Sequence, residues 1–378
     1  MRERESRWLA INKRRFWASL FSIAVCIVLI VTLSWHFTRK SHTQPNHQKG
    51  STPGPGSGSG GQKNDDFIWR TLKWNYPLGT PRPLPTQGTK PLPAVQFKFS
   101  GESDDDKNTR LIRQDAVKKA FQRCWTSYRA QAWLHDELKP VSGGYKEAFG
   151  GWAATLVDSL DTMWIMGMHD EFNVAVDAVD RNISFATSTS GDVINLFETN
   201  IRYLGGLLAG YDLSGDERLK SKATDVGDMM LKAFDTPNHM PVGRWNIKDA
   251  AANKNQTAMT ATNLAEIGTL VLEFTRLSLI TGDGRYHDVT QRISDLLYAS
   301  QMETKLPGLW SISVDASNAR FDIGASYSLG GASDSAYEYF PKMMALLDNL
   351  DPAYERLYTS SMTAAQEHIL IIQPTPRR

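Results

Sequence analysis

The sequence predicts an all-helical domain built from repeated helical hairpins, on three observations. From Leu111 onward, apolar residues recur near every fourth position, and almost no stretch alternates as a strand would. Two segments, FETNIRYLGGLLAGYDLSGDERL and LAEIGTLVLEFTRLSLITGDGRYHD, align so that each carries a Glu near its start and runs into a Ser/Thr-Gly-Asp stop. The acids Glu198, Glu266 and Asp334 are spaced by 266 − 198 = 68 and 334 − 266 = 68 residues, a period that fits one hairpin per repeat.

In chain order, residues 1–15 are basic, with Arg2, Arg4, Arg7, Lys13, Arg14 and Arg15, and read as a cytosolic tail. Residues 16–37 (FWASLFSIAVCIVLIVTLSWHF) carry no charge except a proton on His36. At ~1.5 Å per residue this run reaches ~33 Å, enough for one transmembrane helix. The basic excess on its amino side places the rest of the chain in a lumen. The run is longer than a signal-peptide core and no A-x-A-like site closes it, which favours an uncleaved anchor over a cleaved leader.

Residues 38–109 are rich in Gly, Ser, Pro and polar residues, a composition that cannot offset ordering entropy, and predict a flexible luminal stalk. In its middle, FIWRTLKW is aromatic enough to dock on the domain, but the preferred reading is a loose segment like its neighbours. A formal net charge of +1 leaves no electrostatic footprint for nucleic acid. The two cysteines, Cys26 in the apolar run and Cys124, build neither a disulfide framework nor a thiolate metal site. The sequons Asn182-Ile183-Ser184 and Asn255-Gln256-Thr257 mark Asn182 and Asn255 as glycosylation acceptors, in keeping with luminal exposure.

The domain, 110–378, opens with a long helix in which Leu111, Ala116, Ala120, Cys124, Tyr128, Ala132 and Leu138 recur near i+4 up to Pro140. In the stops that follow, Gly supplies the left-handed cap. Hairpins of this kind stack as an open solenoid or close into a ring, where acids at one end of each inner helix converge on a pit. Paired carboxylates there suit glycosidic chemistry; the alternative is that they only favour the helix macrodipole.

Arg202 lies four residues after Glu198 and either pairs with it or serves a pocket. Glu338 follows Asp334 by one turn, and Glu273 follows Glu266 by two. Asp158 and Asp161 sit in an apolar stretch where an unpaired carboxylate is costly; Asp158 reads as a pocket residue and Asp161 as support for its helix. Of Trp152, Trp164, Tyr203 and Tyr337, at least two are expected in the core. His135, His169 and His287 lack the spacing of a histidine metal site.

Four segments, 150–168, 197–216, 264–283 and 332–343, together resemble the class I α-1,2-mannosidases, glycoside hydrolase family 47, with a fungal-like processing character, over about 111–376. The resemblance implies an (α/α)7 barrel that trims α-1,2-linked mannose from high-mannose N-glycans with inversion, using bound calcium. It also implies a single-pass type II anchor in the endoplasmic reticulum or Golgi. Matched residue by residue, Glu198 is the acid that protonates the leaving oxygen and Asp334 a second catalytic carboxylate. Asp158, Arg202, Glu266 and Glu338 are the expected substrate-binding residues, and Glu273 a supporting one.

The sequence departs from that pattern in extent. The domain has 378 − 110 + 1 = 269 residues, about four hairpins at 68 each. The family's Arg-Pro-Glu motif, with the proposed general base, and the late calcium-ligating Thr are missing, so no metal ligand is expected within the chain. HILIIQPTPRR stands where Phe-Arg-Pro would be expected. The expectation is an incomplete barrel from a truncated product that lacks its base and does not turn over at a complete enzyme's rate. The competing function is a mannose-binding, lectin-like factor of endoplasmic-reticulum quality control; a different α/α-toroid polysaccharide hydrolase is disfavoured by the motif set.

Overall fold

The computed structural model describes residues 69–86, 92, 94 and 96–370, all within one compact unit, Asn64–Arg378. The expected anchor at 16–37 lies outside the described residues, and among those described no helix is long and apolar enough to cross a membrane.

Helix α1, Asp104–Gln131, begins earlier than the apolar period suggests because capping sets its start. Ser103 Oγ accepts the Asp106 N–H at 3.1 Å, and three aspartates occupy the first turn, where the macrodipole favours anions. The helix ends at Gln131, well short of Pro140: Leu134 adopts a positive φ of 66°, and a hairpin pairs β1, Glu137–Leu138, with β2, Tyr145–Lys146. Of the residues the i+4 pattern picked out, Tyr128 and Ala132 are buried, whereas Leu111 and Cys124 are exposed.

Four helical hairpins follow among the described residues. In the first, α2 (Ala154–Asp158) and α3 (Leu160–Ile165) turn at Gly167 into α4 (His169–Asn182). In the second, α5 (196–214) runs through Leu196–Glu198, a π-helical Thr199–Leu204 and Gly205–Ser214, then turns at Gly215 into α6 (Glu217–Leu231). A short α7 (Ile247–Ala251) intervenes. The third joins α8 (Leu264–Gly268) and α9 (Val271–Thr281) through Gly282 to α10 (Gly284–Ser300). The fourth turns α11 (Asp334–Leu346) into α12 (Pro352–His368).

The Ser/Thr-Gly-Asp stop works as one device. Gly215 and Gly282 take φ of 72° and 75°, Ser214 Oγ and Thr281 Oγ1 accept the N–H of the following Asp, and Asp216 and Asp283 then cap α6 and α10. The same few residues therefore end one helix and start the next. The fourth hairpin turns without glycine, on Asp348 and Asn349 at φ 48° and 56°.

The leading helices α3, α5, α9 and α11 pack side by side, and the returning helices α4, α6 and α10 form a second row. Strands are few and short, as the sequence predicts. Val193–Asn195 (β3) pairs with Arg244–Asn246 (β4), and Thr262–Asn263 (β5) with Ser313–Val314 (β6). Each pair ties the chain entering a hairpin to the chain leaving it. The strand ends Asn195 and Asn263 lie 263 − 195 = 68 residues apart, so the acid period is a period of the whole unit.

Neighbouring leading elements approach closely where a side chain is missing. A Cβ on Gly206 would stand 3.0 Å from the Val157 carbonyl oxygen, and one on Gly268 would stand 2.8 Å from Ala336 Cβ. Between the rows, fully buried residues such as Leu160, Leu207, Phe234, Phe274 and Trp310 fill the core, each Leu or Phe contributing roughly 1.5–3 kcal/mol.

The expected stalk, 38–109, is not loose throughout. Residues 104–109 belong to α1, and Trp69–Thr71 forms a 3-10 turn whose Trp69 is 5% exposed. The described part of FIWRTLKW docks on the domain, against the preferred reading of a loose segment, because Trp69 packs on Trp245 and donates to Phe185 O.

Candidate active site

The acids of the repeat stand where the fold turns from strand to helix. Asn195 Oδ1 accepts the Glu198 N–H at 3.3 Å, and Asn263 Oδ1 accepts the Glu266 N–H at 2.9 Å, so an N-capping Asn precedes each acid by three residues. In a capping box the acid would reach back to the cap. Here the carboxylates turn instead toward arginines of the site.

Glu198 Oε2 accepts Arg202 Nε at 2.8 Å, and Arg202 Nη1 reaches Asp158 Oδ2 at 3.0 Å. One guanidinium thus bridges two carboxylates from different hairpins. Its face lies 4.2 Å from the centre of the Phe149 ring, which fixes its tilt. Although Asp158 reaches solvent on one edge, protein crowds its other sides; this loss of water raises its pKa above the usual carboxylate value, with Arg202 opposing and Asp161 and Glu198 adding to the rise. Asp161 itself accepts from the Thr162 N–H in the first turn of α3.

Glu266 is half-buried: Oε1 accepts from Arg244 Nη2 at 3.1 Å and Oε2 from Thr262 Oγ1 at 3.0 Å. Its helix α8 packs on Leu196–Glu198 on one side and on α11 on the other, where the Ala265 N–H donates to Ala332 O at 3.0 Å. The starts of the three acid-bearing helices therefore adjoin along one edge. Asp334, at the far end, is exposed, its Oδ1 accepting only the Ser335 N–H at 2.9 Å. Glu338 is exposed too and pairs with Lys342, the environment of a solvated helix face.

Beneath this edge a buried bridge spans three leading helices. Glu273 on α9 accepts from Tyr339 Oη of α11 at 2.6 Å and from Asn200 Nδ2 of α5 at 2.8 Å. Burial raises the Glu273 pKa, opposed by those hydrogen bonds.

Sequence reasoning did not single out Asp136, which is fully buried. Its carboxylate accepts the backbone N–H groups of Phe149, Gly151, Trp152 and Ala154 and the Tyr203 hydroxyl, fixing the loop that carries Phe149 beneath Arg202. The Asn-x-x-Glu spacing at Asn195 and Asn263 was a usable signal for the caps. Trp152, Tyr203 and Tyr337 are buried in the core and Trp164 packs against it, so these aromatics support the fold.

A dedicated calcium cage asks for roughly six to eight oxygens. Among the described residues no group of three or more His, Cys, Asp or Glu side chains is placed to hold a metal.

Hairpin repeats with carboxylates aligned at one edge, two of them sharing a guanidinium, define an α/α repeat protein with an acidic edge. Residues 120–377 match the domain described as Glycosyl hydrolase family 47. The chain is 34% identical to Mannosyl-oligosaccharide 1,2-alpha-mannosidase IB of Mus musculus, covering 76% of this chain and 45% of that protein. It is 38% identical to the Probable mannosyl-oligosaccharide alpha-1,2-mannosidase 1B of Aspergillus niger, covering 73% and 55%. The structure is similar to that of the alpha-1,2-mannosidase from Trichoderma reesei, with a TM-score of 0.62 and 32% identity over 68% of this chain and 55% of that one. The chain spans about half the length of the curated relatives it matches. It belongs to glycosyl hydrolase family 47, and its helical fold matches the α/α barrel of a family mannosidase.

Proposed function

We propose that this domain hydrolyses terminal α-1,2-linked mannose from high-mannose N-linked oligosaccharides. The observation that carries this reading is the Asp158–Arg202–Glu198 bridge at the start of a leading helix, in a chain whose relatives are named for that activity. Arg202 orients the Glu198 carboxyl toward the exposed edge, where Glu198 delivers a proton to the departing glycosidic oxygen, directly or through a water. Asp334 acts as the second catalytic carboxylate, beside the water that bonds to the anomeric carbon as the glycosidic bond breaks and gives its proton to the solvent. Asp158 and Glu266, each already held by an arginine, accept hydrogen bonds from sugar hydroxyls with their remaining lone pairs. Glu338 borders the same edge and, tied to Lys342, makes the outermost contact.

The apolar run 16–37 serves as a type II anchor in the endoplasmic reticulum or Golgi, with the domain in the lumen beside its substrates. Asn182 and Asn255 are both exposed, consistent with modification there. No step is assigned to calcium.

The test is release of free mannose from a Man9 oligosaccharide by the full chain, with calcium added because the family resemblance implies it, alongside direct measurement of glycan binding. Release that is lost in Glu198→Gln supports the proposal. Binding without release marks the lectin-like alternative, and neither binding nor release overturns both.

A further inference from the structure

Residues 69–82 lie before the family-matched domain, which begins at residue 120, yet they cross two of its hairpins. At one end, Trp69 packs on Trp245 with ring centres 5.7 Å apart, and its Nε1 donates to Phe185 O at 3.0 Å. Arg70 Nε meets Asp228 of α6 at 3.1 Å, and its Nη2 meets the Tyr286 hydroxyl of α10 at 3.3 Å.

In the middle, the segment completes a buried ion pair. Lys232 and Asp235, with side chains 3% and 1% exposed, are bonded at 2.6 Å. Asp235 accepts the backbone N–H groups of Asn75 and Tyr76 at 3.0 and 2.7 Å, and Lys232 Nζ donates to Lys73 O at 2.9 Å beneath the Trp74 ring. The segment thus supplies three of the pair's hydrogen bonds, while Lys232 Nζ also holds Asn253 Oδ1 at 3.4 Å, so losing the segment exchanges three oriented partners for water. At the other end, the Arg82 N–H donates to buried Asp288 at 3.3 Å, Arg82 also pairs with Asp295, and Arg292 donates to Leu78 O at 3.2 Å; all three partners lie on α10.

We propose that residues 69–82 form a strap that clasps the returning helices α6 and α10 and couples the second and third hairpins. In stacked repeats, cooperativity rests on neighbour interfaces, and the strap adds a second link across one of them. The proposal is independent of the catalytic reading.

To test it, a protease recognition sequence is inserted in the full chain between Ser100 and Gly101, and the folded protein is cut. The amino-terminal piece is expected to remain with the domain on native size exclusion, with amide exchange in Glu217–Leu231 and Gly284–Ser300 unchanged. Departure of the piece with exchange unchanged in both helices overturns the proposal. Departure with faster exchange in both supports it, the clasp then depending on its covalent tether. In the uncut chain, Trp69→Ala combined with Arg82→Ala is expected to speed exchange in both helices about tenfold and leave His169–Asn182 unchanged. Equal rates in all three helices would count against the strap.

Discussion

Glu198 and Asp334 hold corresponding places, each in the first turn of a leading helix and two repeats apart, but their surroundings differ. Glu198 is half-buried, follows an Asn cap and shares Arg202 with Asp158. Asp334 is exposed, follows a Ser333 whose side chain makes no cap, and touches only a backbone N–H. Repetition thus fixes where a carboxylate stands, whereas residues that the repeat does not keep fix what it meets. Asp158, Phe149 and Asp136 come from the chain before the second hairpin and tailor one end alone. The two ends are joined underneath by Glu273, through Asn200 on one side and Tyr339 on the other.

The largest expected effect is at the enclosed end. Glu198→Gln should lower mannose release about 10²–10⁴-fold with glycan affinity changed little, read as kcat against binding on the same preparation. An equal loss from a substitution at Asp161 would show that the Arg202 bridge is not what distinguishes this end.

Next comes the bridge. Glu273→Leu strands the Tyr339 hydroxyl and the Asn200 amide, and should cost about 2–5 kcal/mol in urea unfolding. Because its folded pKa is raised, wild-type Glu273 stabilises most when protonated; its contribution is full below the ordinary carboxyl value of 4.5 and falls as pH rises toward the folded value. Glu273→Gln removes that term. The difference in stability between wild type and Glu273→Gln should therefore drift against wild type as pH rises above 4.5, and a constant difference would contradict the assignment.

Smaller effects separate the ends further. Arg202→Met keeps the contact with Phe149 but leaves Asp158 and Glu198 without their cation; with all three groups partly in solvent, a loss of about 1 kcal/mol is expected in thermal unfolding. Glu338→Gln breaks only an exposed pair with Lys342 and should change stability by less than about 0.5 kcal/mol.

Local signals in the sequence were read well. The 68-residue period, the Ser/Thr-Gly-Asp stops and the four-residue step from Glu198 to Arg202 each depend on a few neighbouring residues, and each appears in the structure. The unread parts depend on distant partners. Asp136 acquires its place through Tyr203, 67 residues away, and Glu273 through residues 73 and 66 positions distant. The limits of α1 differ from the apolar period because the Ser103 cap, not side-chain hydrophobicity, sets its start, and its exposed Leu111 shows that an i+4 pattern need not mark a buried face. Trp69 docks through an indole N–H to a carbonyl that composition cannot reveal.

The π-helical stretch Thr199–Leu204 has a consequence for inheritance. A π turn holds one more residue than an α turn, so it marks an insertion that the helix absorbs without breaking. Losing a single codon between Glu198 and Gly205 would let α5 relax to regular α-helix with Glu198 and Gly205 still in register, because the wide turn already absorbs the extra residue; what changes is the turn itself, where Arg202 stands. The smallest in-frame deletion would thus leave the hairpin and its acid standing and move the arginine that joins Glu198 to Asp158, separating the history of the fold from the history of its chemistry.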